Sequence, residues 1–175
     1  FTNSPWSFST EAARQKLGLE QLLILNDFTA LALALPLLGP DERRPVGGGT
    51  AAAEAPIGLI GPGTGLGVSG LVWSGQRWIP LDTEGGHVTF SAHDEREWAI
   101  GRILRRRFDH VSPERLLSGP GLVNLYAALA ELEGWPAEEL APADITERAL
   151  TGSCRHCFEV LELFCGALGT AAGNL

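Results

Sequence analysis

Residues 22–28 read L-L-I-L-N-D-F, and this stretch does most to set the class of fold. Four consecutive large apolar residues are too few to fill a helix and read as a buried strand. Asn26 and Asp27 follow where that strand gives way to a turn. In open α/β sheets ligands sit at the carboxyl ends of strands, so a carboxylate here points into a crevice. The same two residues would also serve as caps of a helix starting near Phe28. Both readings stand on this stretch alone.

At 175 residues the chain is one full domain, or one domain with part of another. Its 45% hydrophobic content fits a globular protein. No apolar run reaches the roughly 18 residues of a membrane span, and the longest, residues 28–38, contains Thr29 and Pro36. No signal peptide is evident. The net charge of −8 opposes nonspecific binding to nucleic acid or to an anionic membrane. A bound nucleotide would therefore rely on backbone N–H groups and a metal ion. The absence of methionine, the start on Phe1 and the apolar close G-T-A-A-G-N-L together predict an interior piece of a longer protein. Cys154, Cys157 and Cys165 fall in one helical segment and share a stripe with Leu161, which reads as core thiols. Zinc would need a fourth ligand, and His156 lies off the stripe. An odd cysteine count without a secretory signal predicts a reducing cytoplasm.

Taken in order, Ser9 should cap a helix over 10–17 that Gly18 ends. The strand through Leu25 precedes a helix over 28–38, which Gly39-Pro40 stops. Residues 41–54 are charged, then rich in Gly and Ala, and read as a surface loop. From Pro56 the pattern turns to β structure: P-I-G-L-I, a glycine turn, V-S-G-L-V-W, then R-W-I-P-L-D-T leading into E-G-G-H-V-T-F. Helices follow. Asp94 starts one reaching Phe108, with Trp98, Ile100, Ile103, Leu104 and Phe108 as its apolar positions. S-G-P-G breaks the chain before a helix over 122–133, Asp144 caps another, and the cysteine helix closes the chain. The arginine trio 105–107 reads as a solvated helix end.

Two motifs carry chemistry. G-P-G-T-G-L-G, residues 61–67, lets backbone N–H groups approach a phosphate, and Thr64 adds a hydroxyl. It lacks the Gly-Lys-Ser/Thr of a Walker loop, and a strand rather than a helix follows it, unlike the dinucleotide fingerprint. An unliganded β-turn is the plain alternative. E-G-G-H, residues 84–87, places a carboxylate and an imidazole around a glycine turn and suits vicinal hydroxyls, or is simply a surface turn. Glu114, beside Pro113, is unremarkable alone.

Together T-N-S-P-W-S-F-S, N-D-F-T-A, G-P-G-T-G-L-G, E-G-G-H-V, S-P-E-R-L-L-S-G-P-G-L-V-N-L-Y, D-I-T-E-R-A-L and the Cys154/Cys157 helix resemble the bacterial ATP-dependent glucokinases of the hexokinase–actin ATPase superfamily. The stretches run in family order along essentially the whole chain. The resemblance implies an α/β, ribonuclease H-like/actin-like ATPase fold, with two α/β domains around a cleft and both ends incomplete. Residues 1–38 would belong to a small N-terminal domain and 39–175 to a large one. Asp27 matches the family's general base and Asn26 its sugar-binding neighbour. Glu84, His87 and Glu114 match further sugar ligands, and Gly61, Gly63, Thr64 and Gly65 the second phosphate loop. Asn3 and Trp6 fall in a stretch bordering the sugar. The family's N-terminal Asp-x-Gly-Gly-Thr loop and its C-terminal glycine pair for adenosine are absent.

The implied reaction moves the terminal phosphoryl of ATP, with Mg²⁺, to the 6-hydroxyl of glucose. The implied protein is a cytoplasmic homodimer that binds glucose and ATP and neither nucleic acid nor membrane. Three alternatives remain open at this level. They are a non-catalytic sugar-sensing regulator, a kinase using another hexose or polyphosphate, and a thiol or zinc module centred on Cys154 and Cys157.

Overall fold

The computed structural model describes residues 7–175, so Asn3 and Trp6 lie outside the described residues. Within them the chain is α/β, with one small antiparallel sheet between two unequal helical layers. Strands β1 (Ile57–Pro62), β2 (Leu66–Trp73) and β3 (Trp78–Asp82) lie in the order β1–β2–β3. Gly61 pairs with Gly67 and Pro62 with Leu66, which makes the glycine-rich turn the tip of the first hairpin. Gly63 N–H donates to the Gly65 carbonyl at 2.8 Å and closes that tip. In the second hairpin Trp73 faces Trp78, and their rings meet edge-on at 5.3 Å.

Side chains alternate across a strand, so β2 offers Leu66 and Val68 to one face and Gly67, Ser69 and Leu71 to the other. Leu66 and Val68 join the main core with the later helices. Helix α2 (Asp27–Ala34) covers the opposite face, where its Thr29 and Ala32 are buried. There Thr29 Oγ1 donates to Asp82 Oδ1 at 2.5 Å. The preceding helix, α1 (Thr10–Lys16), starts at Ser9 as its sequence predicts, but buries nothing.

The larger layer contains α3 (Glu95–Arg105), α4 (Gly119–Glu133), α5 (Pro142–Leu150) and α6 (Arg155–Gly173). Helix α4 is its centre, because Leu122, Leu125, Tyr126 and Leu129 recur on one face and are all buried. They pack with Ile100 and Leu104 of α3, Ile145 of α5 and Val160 of α6. Each fully buried leucine or isoleucine contributes about 1.5–3 kcal/mol through removal from water. At the rim Arg96 Nη2 reaches Glu133 at 2.5 Å and Glu159 at 3.0 Å, tying α3 to α4 and α6.

Several expectations change. Residues 22–25 form no strand, since no described segment pairs with their backbone. Leu23 is 78% exposed and Ile24 51%. Helix α2 stops at Ala34, and Pro36, lacking an N–H, sits in the 3₁₀ turn Leu35–Leu37. The E-G-G-H stretch is a 3₁₀ turn, Gly85–His87, with no strand after it. Helix α4 begins at Gly119 rather than near Leu122, because Ser118 Oγ accepts Gly121 N–H and Pro120 suits the first turn. Helix α5 begins at Pro142, so Asp144 sits inside its first turn and accepts Ala141 N–H. Trp98 is exposed on the outer face of α3, and Cys165 is exposed rather than in the core.

Candidate functional site

The site grows out of the first hairpin. Its glycines are needed for contact as well as for turning. A Cβ on Gly67 would fall 2.1 Å from the Phe28 ring, and one on Gly61 would fall 2.7 Å from it. The Phe28 ring therefore lies flat on paired glycines of β1 and β2. Phe28 directly follows Asp27, so this packing fixes the start of α2 against the hairpin tip. Glycine inside a strand marks such close approach.

Asn26 caps α2, its Oδ1 accepting Phe28 N–H at 2.8 Å and Thr29 N–H at 3.4 Å. Asp27 Oδ1 accepts the same Phe28 N–H at 2.9 Å. Both carboxamide and carboxylate remain exposed. Capping, one of the two readings of these residues, is thus realised by Asn26, while Asp27 keeps one carboxylate oxygen outside the cap.

Glu114 approaches from the other side of the hairpin. It sits in the 3₁₀ turn Pro113–Arg115, and its Oε2 accepts Leu66 N–H at 3.0 Å. A Cβ on Gly65 would lie 2.5 Å from that oxygen, so glycine is required for the carboxylate to reach the backbone. Gly119 N–H donates to the Gly63 carbonyl at 2.8 Å and fastens the tip to the start of α4.

His87 is held by the same logic. Gly86 is buried against β2, where a Cβ would fall 2.1 Å from the Leu66 carbonyl oxygen. That contact brings the turn Gly85–His87 onto β2 and sets the imidazole between two carboxylates. His87 Nδ1 lies 3.9 Å from Glu114 Oε1, and Nε2 lies 3.7 Å from Glu84 Oε2. These separations are too long for hydrogen bonds and leave His87, Glu84 and Glu114 Oε1 able to engage hydroxyls.

Asp27, Phe28, residues 61–67, His87 and Glu114 line one open cleft of about 580 Å³. The structure thus gathers Asp27, Gly61, Gly63, Thr64, Gly65, His87 and Glu114. Glu84 stands beside His87 without lining the cleft, and Asn26 is turned to capping. The sequence reading missed Phe28, whose ring sets the spacing between Asp27 and the hairpin, and the Thr29–Asp82 bond. Alternate glycines in a strand, with an aromatic residue next to a candidate carboxylate, were the signal for the first. Nothing local marks a bond between residues so far apart in sequence. Among the described residues no three carboxylate, imidazole or thiol side chains converge as a metal site would need. No described helix is long and apolar enough to cross a membrane.

A family model described as Glucokinase matches residues 1–175. A glucokinase of Aromatoleum aromaticum is 55% identical over 174 residues, covering 99% of this chain and 53% of the relative. A glucokinase of Chromobacterium violaceum is 56% identical and is covered to 50%. The chain spans about half the length of the curated relatives it matches. Among solved structures, glucokinase from an Antarctic psychrotroph superposes with a TM-score of 0.88 at 38% identity, over 99% of this chain and 54% of that one.

Proposed function

The chain belongs to the glucokinase family, and from that premise we propose that its protein transfers the terminal phosphoryl of ATP to the 6-hydroxyl of glucose. One observation carries the reading: a carboxylate at a helix start, a glycine hairpin tip, an imidazole and a second carboxylate line a single open cleft. In this reading Asp27 is the general base. Its Oδ1 is already engaged by Phe28 N–H, which leaves Oδ2 to take the hydroxyl proton and aim the oxygen. His87 and Glu114, with Glu84 beside them, accept and donate to the ring hydroxyls. Asn26, which holds the start of α2, is placed next to the sugar.

Gly61, Gly63, Thr64 and Gly65 form the phosphate loop. The tip residues Gly63 and Thr64 are exposed, and nothing lies within 4 Å of a Cβ built on Gly63, so phosphate oxygens have room there. Loss of charge repulsion and alignment of the donor are what such a loop supplies. In this reading Mg²⁺ arrives on the donor's phosphates. We further read the fold as ribonuclease H-like/actin-like, with residues 1–38 in a small domain and 39–175 in a large one. Helix α2, packed on the sheet, is then the contact between them. A cytoplasmic homodimer completes this reading.

Calorimetry with glucose tests it. Glu84→Ala, His87→Ala and Glu114→Ala in the full-length protein should each weaken binding by about 1–3 kcal/mol, the cost of leaving a hydroxyl partner unmade. Unchanged affinity in all three would remove the sugar from this cleft. A parallel screen of hexoses, with ATP and polyphosphate as donors, fixes the substrate pair.

A further inference from the structure

Away from the cleft, S-C-R-H-C (residues 153–157) sets two thiols in the first turn of α6. Cys154 is its N-cap, with an extended backbone (φ −140°, ψ 113°), and its Sγ accepts Cys157 N–H at 3.3 Å. Sulfur here takes the place that serine oxygen takes at α1 and α4. A thiolate accepts better than a thiol, and the start of a 19-residue helix favours negative charge.

The two thiols differ in character. Burial alone raises the Cys154 thiol. The Cys157 and His156 N–H groups, the Cys157 thiol and the Arg148 guanidinium of α5 outweigh it and hold Cys154 below the ordinary thiol value. Cys157 is fully buried. Burial first, then the hydrogen bond to Cys154 and the charge there, push it up to about 12. Glu138, in the α4–α5 connection, pushes the same way. Tyr126 of α4 also faces both sulfurs. The His156 ring is stacked on Trp135 at 4.0 Å, 2° from parallel, which keeps the intervening residues in place. Cys154 is half-buried and reachable, whereas Cys157 is sealed. Cα atoms three residues apart in a helical turn lie about 5 Å from one another, within the roughly 4.4–6.8 Å that a disulfide spans.

We propose that Cys154 and Cys157 form a thiol–disulfide exchange site, with Cys154 the attacking sulfur and Cys157 the resolving one, for low-molecular-weight disulfides such as oxidised glutathione. In the first step the Cys154 thiolate attacks one sulfur of the small disulfide. Its S–S bond breaks, a mixed disulfide forms, and one small thiolate leaves and takes up a proton. The charge on Cys154 is then gone, which removes one of the influences that hold the proton on Cys157, burial being the largest of them. Cys157 loses that proton to solvent and attacks Cys154 Sγ, and the second small thiolate leaves. One small disulfide is reduced to two thiols while the two protein thiols become one disulfide.

The test uses the full-length protein, reduced without oxygen. It is labelled with iodoacetamide across a range of pH and then mapped by peptide mass spectrometry. Cys165, exposed on the same helix but far from its start, is the internal control. Cys154 should be alkylated about tenfold faster than Cys165 just below neutrality, with a pH midpoint below the ordinary thiol value. With oxidised glutathione the wild type should yield a Cys154–Cys157 disulfide. Cys157→Ala should accumulate glutathione on Cys154. Cys154→Ser, which keeps an N-cap oxygen, should take none on Cys157. If Cys157→Ala does not fold, the wild type and Cys154→Ser still decide the matter. Cys165 reacting as fast as Cys154, or glutathione appearing on Cys157 in Cys154→Ser, overturns the proposal.

Discussion

Residues 7–55 and residues 56–175 contain comparable runs of apolar side chains and use them differently. In the second region Ile100, Leu104, Leu116, Leu125, Leu129 and Ile145 are sealed from water around α4. In the first, Leu17, Leu19, Leu23, Ile24 and Leu25 stay open, and only α2 is anchored. That anchor is small: the Phe28 ring on two glycines, buried Thr29 and Ala32, and one hydroxyl–carboxylate bond. Yet it holds the proposed catalytic base. The rigid half positions the proposed phosphate loop and sugar ligands, while the proposed base reaches the cleft from the loosely held half.

The largest expected effect breaks the rigid half. Leu129→Ala should cost about 2–5 kcal/mol in denaturant unfolding, whereas Leu23→Ala should stay within about 0.5 kcal/mol. Equal losses would mean that residues 19–25 share the core. Gly86→Ala comes next. Its methyl meets backbone rather than a movable side chain, so a cost of about 1–3 kcal/mol and a displaced His87 are expected. Unfolding curves with glucose titrations on the same variant would check both.

Gly67→Ala sharpens the comparison more selectively. The added methyl displaces the Phe28 ring and with it the start of α2, while the helical core is untouched. Turnover should fall by about tenfold or more, since misplacement near 1 Å is costly, with little change in the unfolding midpoint. Stability loss with normal turnover would place Phe28 in a purely structural role.

How legible this was depended on where the partner of each pattern lies. Helix α1 with its Ser9 cap and the two hairpins with their turns are complete in local sequence and were readable, whereas the Ser118 cap that starts α4 at Gly119 was not. Residues 22–25 carry the pattern of a strand, but a strand exists only with a neighbour to bond, and no described residue supplies one. Asp27, His87 and the glycine turn stand on motifs of their own, whereas Glu114 was singled out only through the family resemblance and Phe28 was missed. The mutual placement of the cleft residues was not legible, because it rests on missing side chains: Gly61, Gly65, Gly67 and Gly86 act by what a Cβ would block. Trp98 and Cys165 show the opposite failure, since apolar residues matching a helical face can still sit on its outer side.

The smallest effect concerns the rim. Hydrogen bonding from Arg155 first, opposed by burial and helped by Arg96, holds the Glu159 carboxyl below the usual carboxylate range. Its folded value is depressed, so the stability it contributes is present above the ordinary carboxylate range and is lost as pH falls through the lowered value. The Arg96 partner is partly exposed, which limits the effect to below about 1 kcal/mol. Acid unfolding of Glu159→Gln should be correspondingly shallower in pH at the α3–α6 contact, as read by amide exchange there.

The account stands most directly on Asp27. Asp27→Asn in the full-length protein preserves the side-chain shape and the Oδ1 acceptor for Phe28 N–H, but removes the group that takes the proton. Measured together, glucose affinity should be nearly unchanged and kcat for ATP-dependent formation of glucose 6-phosphate should fall by roughly 10²-fold or more. A variant that binds glucose and turns over at near the normal rate would contradict it, and Asp27 would then be only the first residue of a helix.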